Sequence, residues 1–462
     1  MQNRVVYFSI FALLIFKLIA IYLTQFSLYG DEAQYWLWSK SPDLGYFSKP
    51  PLLAWFLSLH TFFLGDSFFS IKIFPVLIYL FISFGIYKLC IGLSLSKNNS
   101  VLCSGSFLLI PAASLSSFLV STDLLLLLFW SFAMAKLLEM RANHSTLNFF
   151  LLGFFLGLAF LAKYAAVYFF IGLLLLIVID KKTLNIFKKN PLKVFIFLTT
   201  FIFIIFPNIY WNFNNGWITF SHTSDNANLQ NLNFNFFKPL EFIMAQILMV
   251  GPVLVFSFIF LFKYFYLDCE NKFLLTFSIP IILIVLVESF LVRANANWAA
   301  PALISVFILL FRLVIIKNIK LIKINYVFNY SIAIFLFGLI MASSNLKLFD
   351  RINGINNFTK EILNIVNQKD LVISDRILFS NISYEIRMGA NNIYMPHKKN
   401  TGITNHFQMK SALNINQAND FYLIGELSDI SYLLKKHQTI LIKEFDVSFS
   451  SSKLKLYEVN FK

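Results

Sequence analysis

The residues whose types and spacing suit chemistry lie close together, just after the first long apolar segment. They run Tyr29-Gly-Asp-Glu-Ala-Gln-Tyr-Trp-Leu-Trp38 and then Leu44-Gly-Tyr-Phe-Ser-Lys-Pro-Pro51. Asp31 and Glu32 are adjacent carboxylates. On a helix their side chains point about 100° apart, so one can face a pocket while the other meets a helix terminus or a cation. Lys49 precedes two prolines, which fix the backbone and stop a helix from running through. A cation held in this way suits a phosphate. Tyr35, Trp36, Trp38, Tyr46 and Phe47 lie between the acids and the lysine, and such aromatics favour the membrane–water boundary. Acids at that depth are costly unless they serve something. The stretch reads as an acid/base and phosphate-binding site at a membrane surface.

Other candidates stand further along. Asp123 lies in Ser121-Thr-Asp123, Lys163-Tyr164 separates two short apolar runs, and Arg293 and Trp298 flank another turn. The polar, aromatic loop from Trp211 brings His222 near Asp225, a pair too small to define a metal site. Each candidate has a plainer reading. Asp31 and Glu32 can complement the N-terminus of an interfacial helix over 31–40. Lys49, Lys163 and Arg293 can snorkel, Asp123 can cap the helix that follows it, and Trp298 can anchor at the interface. No zinc spacing, P-loop or dinucleotide glycine motif is present.

Composition says what must position these groups. The chain has 462 residues, 58% hydrophobic and only 13% charged, where a soluble domain carries about 25% charged residues. Apolar runs predict a polytopic helical membrane bundle with spans near 5–24, 70–92, 100–119, 123–140, 147–162, 164–180, 194–210, 240–264, 273–292, 298–316 and 326–345. That is about 11 spans of roughly 20 residues each. The run Leu52–Leu64 is short and predicts an interfacial helix that does not cross. The three cysteines lie in or beside apolar segments and imply no disulfide framework.

The net charge of +15 is explained by basic cytoplasmic loops, not by a nucleic-acid partner. With the N-terminus inside and the spans alternating, Arg4, Lys97, Lys136, Arg141, the Lys181–Lys193 cluster, Lys272, Lys317, Lys320 and Lys323 fall on the cytoplasmic side. Asp31, Glu32, Lys49, Asp123, Lys163 and Arg293 then share the outer side. After about residue 346 the apolar runs shorten to strand length. Leu371–Asp375, Phe421–Gly425, Thr439–Glu444 and Lys453–Glu458 predict strands and Arg376–Met388 a helix. The expected division is a membrane domain over 1–345, with first-loop interfacial helices in 25–69, and a small extracytoplasmic α/β domain over 346–462.

Gly30-Asp-Glu-Ala-Gln-Tyr-Trp-Leu-Trp38 followed by Leu44-Gly-Tyr-Phe-Ser-Lys-Pro-Pro-Leu-Leu-Ala-Trp55 resembles the first loop of the bacterial protein O-mannosyltransferase-like glycosyltransferases. This is a GT-C group that includes 4-amino-4-deoxy-L-arabinose lipid A transferase-like enzymes. Further matches are Ser121-Thr-Asp123, Gly157-Leu-Ala-Phe-Leu-Ala-Lys-Tyr164, Phe206-Pro-Asn-Ile-Tyr-Trp-Asn212 and Asn297-Trp-Ala-Ala-Pro301, with weaker ones at Ser374-Asp-Arg376 and Asn405-His-Phe407.

The resemblance covers about residues 5–310. It implies a multi-pass enzyme of the bacterial inner membrane with its site on the periplasmic face. It also implies a polyprenyl-phosphate-linked sugar donor and a lipid, glycan or protein acceptor. By the same resemblance Asp31 matches an essential first-loop aspartate, Asp123 a second acidic position, Lys49 a lysine near the lipid phosphate and His222 a metal-ligand histidine. The resemblance thus leaves a divalent metal ion open as a cofactor. Ser48, however, stands where the lipid A enzymes carry a glutamate, which removes one metal ligand.

The expected roles are Asp31, Glu32 and Asp123 as catalytic acids, with Lys49, Tyr35, Tyr46, Lys163, Arg293 and Trp298 at the substrate. A transporter or lipid-linked sugar flippase is the rival class, though it would favour ionisable groups near the bilayer midplane.

Overall fold

The computed structural model describes residues 3–24, 27–227, 232, 234–343, 346–367, 369–387, 392–398, 402–413, 420–432 and 437–461. The chain opens with α1 (Asn3–Leu23), the first-loop helices α2 (Gly30–Lys40) and α3 (Leu52–Leu64), and then α4 (Phe68–Gly92), α5 (Lys97–Phe107), α6 (Pro111–Ser116), α7 (Thr122–Ala142) and α8 (Thr146–Ala162). There follow α9 (Tyr168–Ile179), α10 (Lys181–Lys189), α11 (Pro191–Asn214), α12 (Ile218–Ala227), α13 (Phe237–Val250) and α14 (Pro252–Leu261). The bundle ends with α15 (Cys269–Thr276), α16 (Ile279–Leu291), α17 (Ala300–Lys317) and α18 (Ile319–Met341).

Among the described residues six helices are long and apolar enough to cross a membrane, or up to eight if each bent pair counts once. That does not reach the eleven read from the sequence, for physical reasons. The apolar run 100–119 is broken between α5 and α6, where Pro111 begins a new helix. Helix α7 is long enough but carries Asp123, Lys136, Glu139 and Arg141, and it is buried in the bundle. The run 240–264 bends by 98° between α13 and α14. Gly251 adopts φ 106° there, a conformation that side chains disfavour, and Pro252 lacks the N–H needed to continue the ladder.

Helix α3 spans 13 residues, about 20 Å at 1.5 Å per residue. That is too short for a hydrocarbon core of about 30 Å. Its end exposes Leu59, Phe62 and Phe63, at 60%, 80% and 73%, as a helix lying in an interface does.

The C-terminal part holds α19 (Ile355–Val366), β1 (Asp370–Ile373), α20 (Arg376–Ile386), β2 (Ile393–Tyr394), α21 (His406–Lys410), β3 (Phe421–Ile424), β4 (His437–Phe445) and β5 (Leu454–Phe461). The sheet order is β2-β1-β3-β5-β4. Strand β1 runs parallel to β2 and β3, while β5 is antiparallel to β3 and β4. The four strands read from sequence and the helix at Arg376 are present, and α19 and β2 add to them. Met388, read as the end of that helix, lies outside the described residues.

Candidate active site

Two anchors hold the first loop. Glu32 projects from α2 into the bundle, where it accepts from Lys72 Nζ at 2.8 and 2.6 Å, from the Val120 N–H at 2.7 Å and from the Tyr29 N–H at 2.8 Å. Lys72 and Glu32 are both almost fully buried. Further along, Gly45 lies against α11. A Cβ there would sit 2.4 Å from Trp211 Cε3, so only glycine allows the approach. Asn208 donates to the Leu44 carbonyl at 2.8 Å, and Thr219 Oγ1 donates to the Tyr46 carbonyl at 2.7 Å. The Tyr46 N–H donates to the Lys49 carbonyl at 3.2 Å, which closes the turn ahead of the two prolines.

With the loop fixed, a cavity of about 590 Å³ opens above the bundle. The adjacent acids diverge as helix geometry requires: Asp31 lines the cavity while Glu32 is turned away into its ion pair. Arg376, the first residue of α20, donates from Nη1 to Asp31 Oδ1 at 3.2 Å and to Gln34 Oε1 at 2.8 Å. Asp31 Oδ2 has no such partner among the described residues.

The Arg376 side chain is placed from the sheet. Strand β1 ends, and Asp375 caps α20 by accepting from the N–H groups of Ile377 and Leu378 at 2.9 and 2.7 Å. The carboxyl end of a parallel strand is where α/β sheets hold ligands. Trp36 and Tyr384 pack edge to face at 5.0 Å and lock α2 to α20.

Lys49 is half-buried in the cavity wall. Its ammonium makes no hydrogen bond or ion pair among the described residues. Burial, with Lys163 nearby, holds its pKa below the usual lysine value against the pull of Asp123 and Asp31. Lys163 also lines the cavity and donates to Asp123 Oδ1 at 2.7 Å, while Asn297 donates to Asp123 Oδ2 at 2.9 Å. Asp123 therefore stands behind the cavity wall with both oxygens engaged. It is not the cap of α7, a position taken by Ser121.

Tyr46 is also behind the wall. It stacks on Trp38 with ring centroids 4.4 Å apart and donates to the Trp38 carbonyl at 3.2 Å, and burial pushes its phenol up to about 12. Tyr35 lines the cavity and burial raises its phenol well above the usual range, with Asp31 adding to the shift. Arg293 and Trp298 complete the wall from the turn after α16.

The structure thus brings Asp31, Tyr35, Lys49, Lys163, His222, Arg293 and Trp298 to one cavity, and leaves Glu32, Tyr46 and Asp123 outside its lining. It adds Gln34, Glu288, Arg376 and His406, which were not among the expected site residues. Trp38 and Tyr46 hold the His406 ring edge-on at 5.4 and 5.1 Å. Burial, with Lys410 nearby, pulls its pKa down to about 4.

His222 does not fit the role of a metal ligand. Its ring packs on Phe47 at 5.0 Å and its Nε2 meets Asn226 Nδ2 at 2.9 Å. Burial, with Lys49 next, lowers its pKa. Among the described residues no three His, Cys, Asp or Glu side chains converge. The cavity lining carries four cations, Lys49, Lys163, Arg293 and Arg376, against two carboxylates, Asp31 and Glu288. Such a lining favours an anion over a divalent cation.

Residues 48–211 match the family model described as dolichyl-phosphate-mannose-protein mannosyltransferase. Over 384 residues, 79% of this chain and 79% of the relative, the sequence is 28% identical to the lipid A galacturonosyltransferase RgtD of Rhizobium johnstonii. The fold is similar to that of ArnT from Cupriavidus metallidurans. In the apo state the TM-score is 0.68 at 11% identity, covering 98% of this chain and 97% of that one. For ArnT bound to undecaprenyl phosphate it is 0.69 at 10% identity, covering 99% and 98%. The first-loop resemblance, the family model and the whole-chain fold agree: this chain has the membrane-helix fold of ArnT, and its sequence is similar to glycosyltransferases.

Proposed function

We propose that the chain moves a sugar from a polyprenyl-phosphate-linked donor to an envelope acceptor, with lipid A the first candidate, on the extracytoplasmic face of a bacterial inner membrane. In this reading residues 1–345 form the membrane domain and residues 346–462 an extracytoplasmic domain that closes the site through Arg376. The observation that carries it is the presence in one cavity of Lys49 and Asp31, where among the described residues the Lys49 ammonium and the second Asp31 oxygen make no hydrogen bond or ion pair. The acceptor named for RgtD and the lipid phosphate bound by ArnT support the choice of substrates. Both the family model and the curated relative are transferases, which leaves the transporter or flippase reading with less to stand on.

The chemistry follows from the residues. An acceptor oxygen attacks C1 of the donor sugar, and the bond from C1 to the phosphate oxygen breaks with its electron pair remaining on the phosphate. The departing polyprenyl phosphate gains negative charge, which Lys49 and Arg293 stabilise where it develops. When the acceptor is a hydroxyl, Asp31 takes its proton through Oδ2, while Arg376 holds Oδ1 and fixes the carboxylate plane. When the acceptor is a phosphate oxygen there is no proton to lose, and Asp31 serves to orient. A single displacement inverts C1.

Mass spectrometry of envelope lipids and glycans from deletion and wild-type cells tests the reading, with the Asp31→Asn chain as the complementation control. Loss of one sugar from a lipid or glycan in the deletion strain supports it, and identical profiles refute it. Orientation is read by labelling single cysteines at Ser451 and Lys188 in intact cells, where only the first is expected to react.

A further inference from the structure

Glu288 is the cavity carboxylate that the mechanism leaves unused. It sits near the end of α16, whose sequence Ile-Pro-Ile-Ile-Leu-Ile-Val-Leu-Val-Glu-Ser-Phe-Leu is otherwise without charge. A carboxylate in a membrane helix is disfavoured, and such residues mark substrate paths or sites when they are kept. Glu288 lines the same cavity as Asp31 and Lys49. Four cations line that cavity with it, yet Glu288 makes no hydrogen bond or ion pair with any of them among the described residues. Lys163 is held by Asp123 and Arg376 by Asp31. Among the described residues Lys49 and Arg293 are left for an anion, and Glu288 is left as an acceptor without a donor.

One cavity with unpartnered cations and an unpartnered carboxylate matches a ligand with an anionic part and a hydrogen-bond-donating part. A sugar joined to a phosphate is such a ligand. We infer that Glu288 is a specificity-determining residue that reads the transferred sugar, accepting hydrogen bonds from a hydroxyl or an ammonium group on its ring. The inference rests on the proposed transfer from a polyprenyl-phosphate donor. It predicts discrimination against a donor sugar that presents a carboxylate at that position, because two carboxylates would meet without a proton or cation between them. A hydroxyl and an ammonium differ in what they demand of Glu288. A neutral amide can still accept from a hydroxyl, but it cannot balance the charge of an ammonium.

The test uses the full chain in membranes with three synthetic polyprenyl-phosphate donors, carrying a neutral hexose, an amino sugar and a hexuronic acid. Wild type, Glu288→Gln and Glu288→Ala are compared for KM and kcat, and each is also tested for binding of bare undecaprenyl phosphate. With the donor that wild type prefers, Glu288→Ala is expected to raise KM by about 10- to 100-fold, the worth of one hydrogen bond to a charged group. Its binding of bare undecaprenyl phosphate should stay at the wild-type level. Glu288→Gln keeping most of the affinity assigns a hydroxyl, and Glu288→Gln failing as Glu288→Ala does assigns an ammonium.

The inference is overturned if both variants use all three donors with wild-type KM, if wild type prefers the hexuronic donor, or if bare phosphate binding falls as far as donor binding. A wild-type chain that neither binds undecaprenyl phosphate nor transfers from any donor overturns the proposed function itself, and the two failures are thereby told apart.

Discussion

Lys72 holds both carboxylate oxygens of Glu32, at 2.8 and 2.6 Å, and also donates to the Phe118 carbonyl at 3.2 Å. The pair joins α2 to α4 and to the break before α7. Glu32 is therefore the anchor that turns its neighbour Asp31 toward the cavity. Removing one partner of a buried ion pair leaves an uncompensated charge and costs about 3–5 kcal/mol. Lys72→Met should lower the detergent-solubilised melting temperature sharply, and Glu32→Gln should also lower it. The double variant should be less damaged than the sum of the two, because a removed charge no longer needs its partner. A Lys72→Met protein as stable as wild type would take the pair out of the framework.

In the proposed reading Lys49 binds the lipid phosphate. Lys49→Ala should weaken undecaprenyl phosphate binding and slow transfer, while Lys49→Arg should keep part of both, since the charge remains and the geometry changes. Unchanged affinity and turnover in Lys49→Ala membranes would move the phosphate to Arg293 and Lys163.

The donor set around His222 predicts how the enzyme answers to chelation. Ser48 offers no carboxylate, His222 packs on Phe47 and meets Asn226, and the cavity lining carries more cations than acids. Treatment with a strong chelator should leave transfer unchanged. Loss of transfer, restored by one added divalent metal, would place an ion here and require a donor beyond His222.

The sequence made some of this visible. The first loop announced itself because an acid pair, aromatics and Lys-Pro-Pro are unusual side by side in an apolar chain, and seven of the ten expected site residues line one cavity. It could say that Asp31 and Glu32 diverge, but not which faces the cavity. The partner that decides this, Lys72, was one of two lysines inside an apolar run. Arg376 was harder to find. It follows Asp31 by 345 residues, and locally it reads only as the start of a helix after a strand. Glu288 interrupts an apolar run in the sequence, but nothing local to it points to the cavity. The span count fell short where backbone breaks at Pro111 and Gly251-Pro252 interrupt runs that hydropathy joins.

His406 is expected to make the packing of the C-terminal part on the first loop sensitive to acid. It is 5% exposed, and burial holds its folded pKa at about 4, against an ordinary value of 6.5. Between those two values the unfolded chain binds the proton and the folded chain does not. Stability is then complete above pH 6.5 and falls as pH drops from 6.5 toward 4. The loss attributable to this group is at most about 3–4 kcal/mol, at 1.36 kcal/mol per unit. His406→Phe keeps an aromatic ring against Trp38 and Tyr46 without the titrating group. Its melting temperature should decline less than that of wild type across that window. Parallel declines would assign the acid sensitivity elsewhere.

The last prediction concerns Asp31. Its Oδ1 is held by Arg376, its Oδ2 has no hydrogen-bond partner among the described residues, and the residue lines the cavity that Lys49 also lines. Of the three acids expected to be catalytic it alone lines that cavity, because Glu32 is consumed by Lys72 and Asp123 by Lys163 and Asn297. Asp31→Asn keeps the size and one acceptor oxygen but removes the base. A positioned general base contributes about 10²–10⁴ in rate, so kcat should fall by that order when the acceptor is a hydroxyl, with undecaprenyl phosphate binding retained. Asp123→Asn frees Lys163 from its ion pair and should act mainly on donor KM. Arg376→Lys should cost less than Asp31→Asn, since a single cation can still reach the carboxylate but cannot hold Gln34 in the same plane. Transfer assays at matched folded protein decide among them. If Asp31→Asn runs at the wild-type rate while Asp123→Asn is dead, the base is Asp123 and the cavity must rearrange to expose it. If all three variants transfer normally, the displacement at C1 takes place without a carboxylate, and Asp31 serves only to dock Arg376.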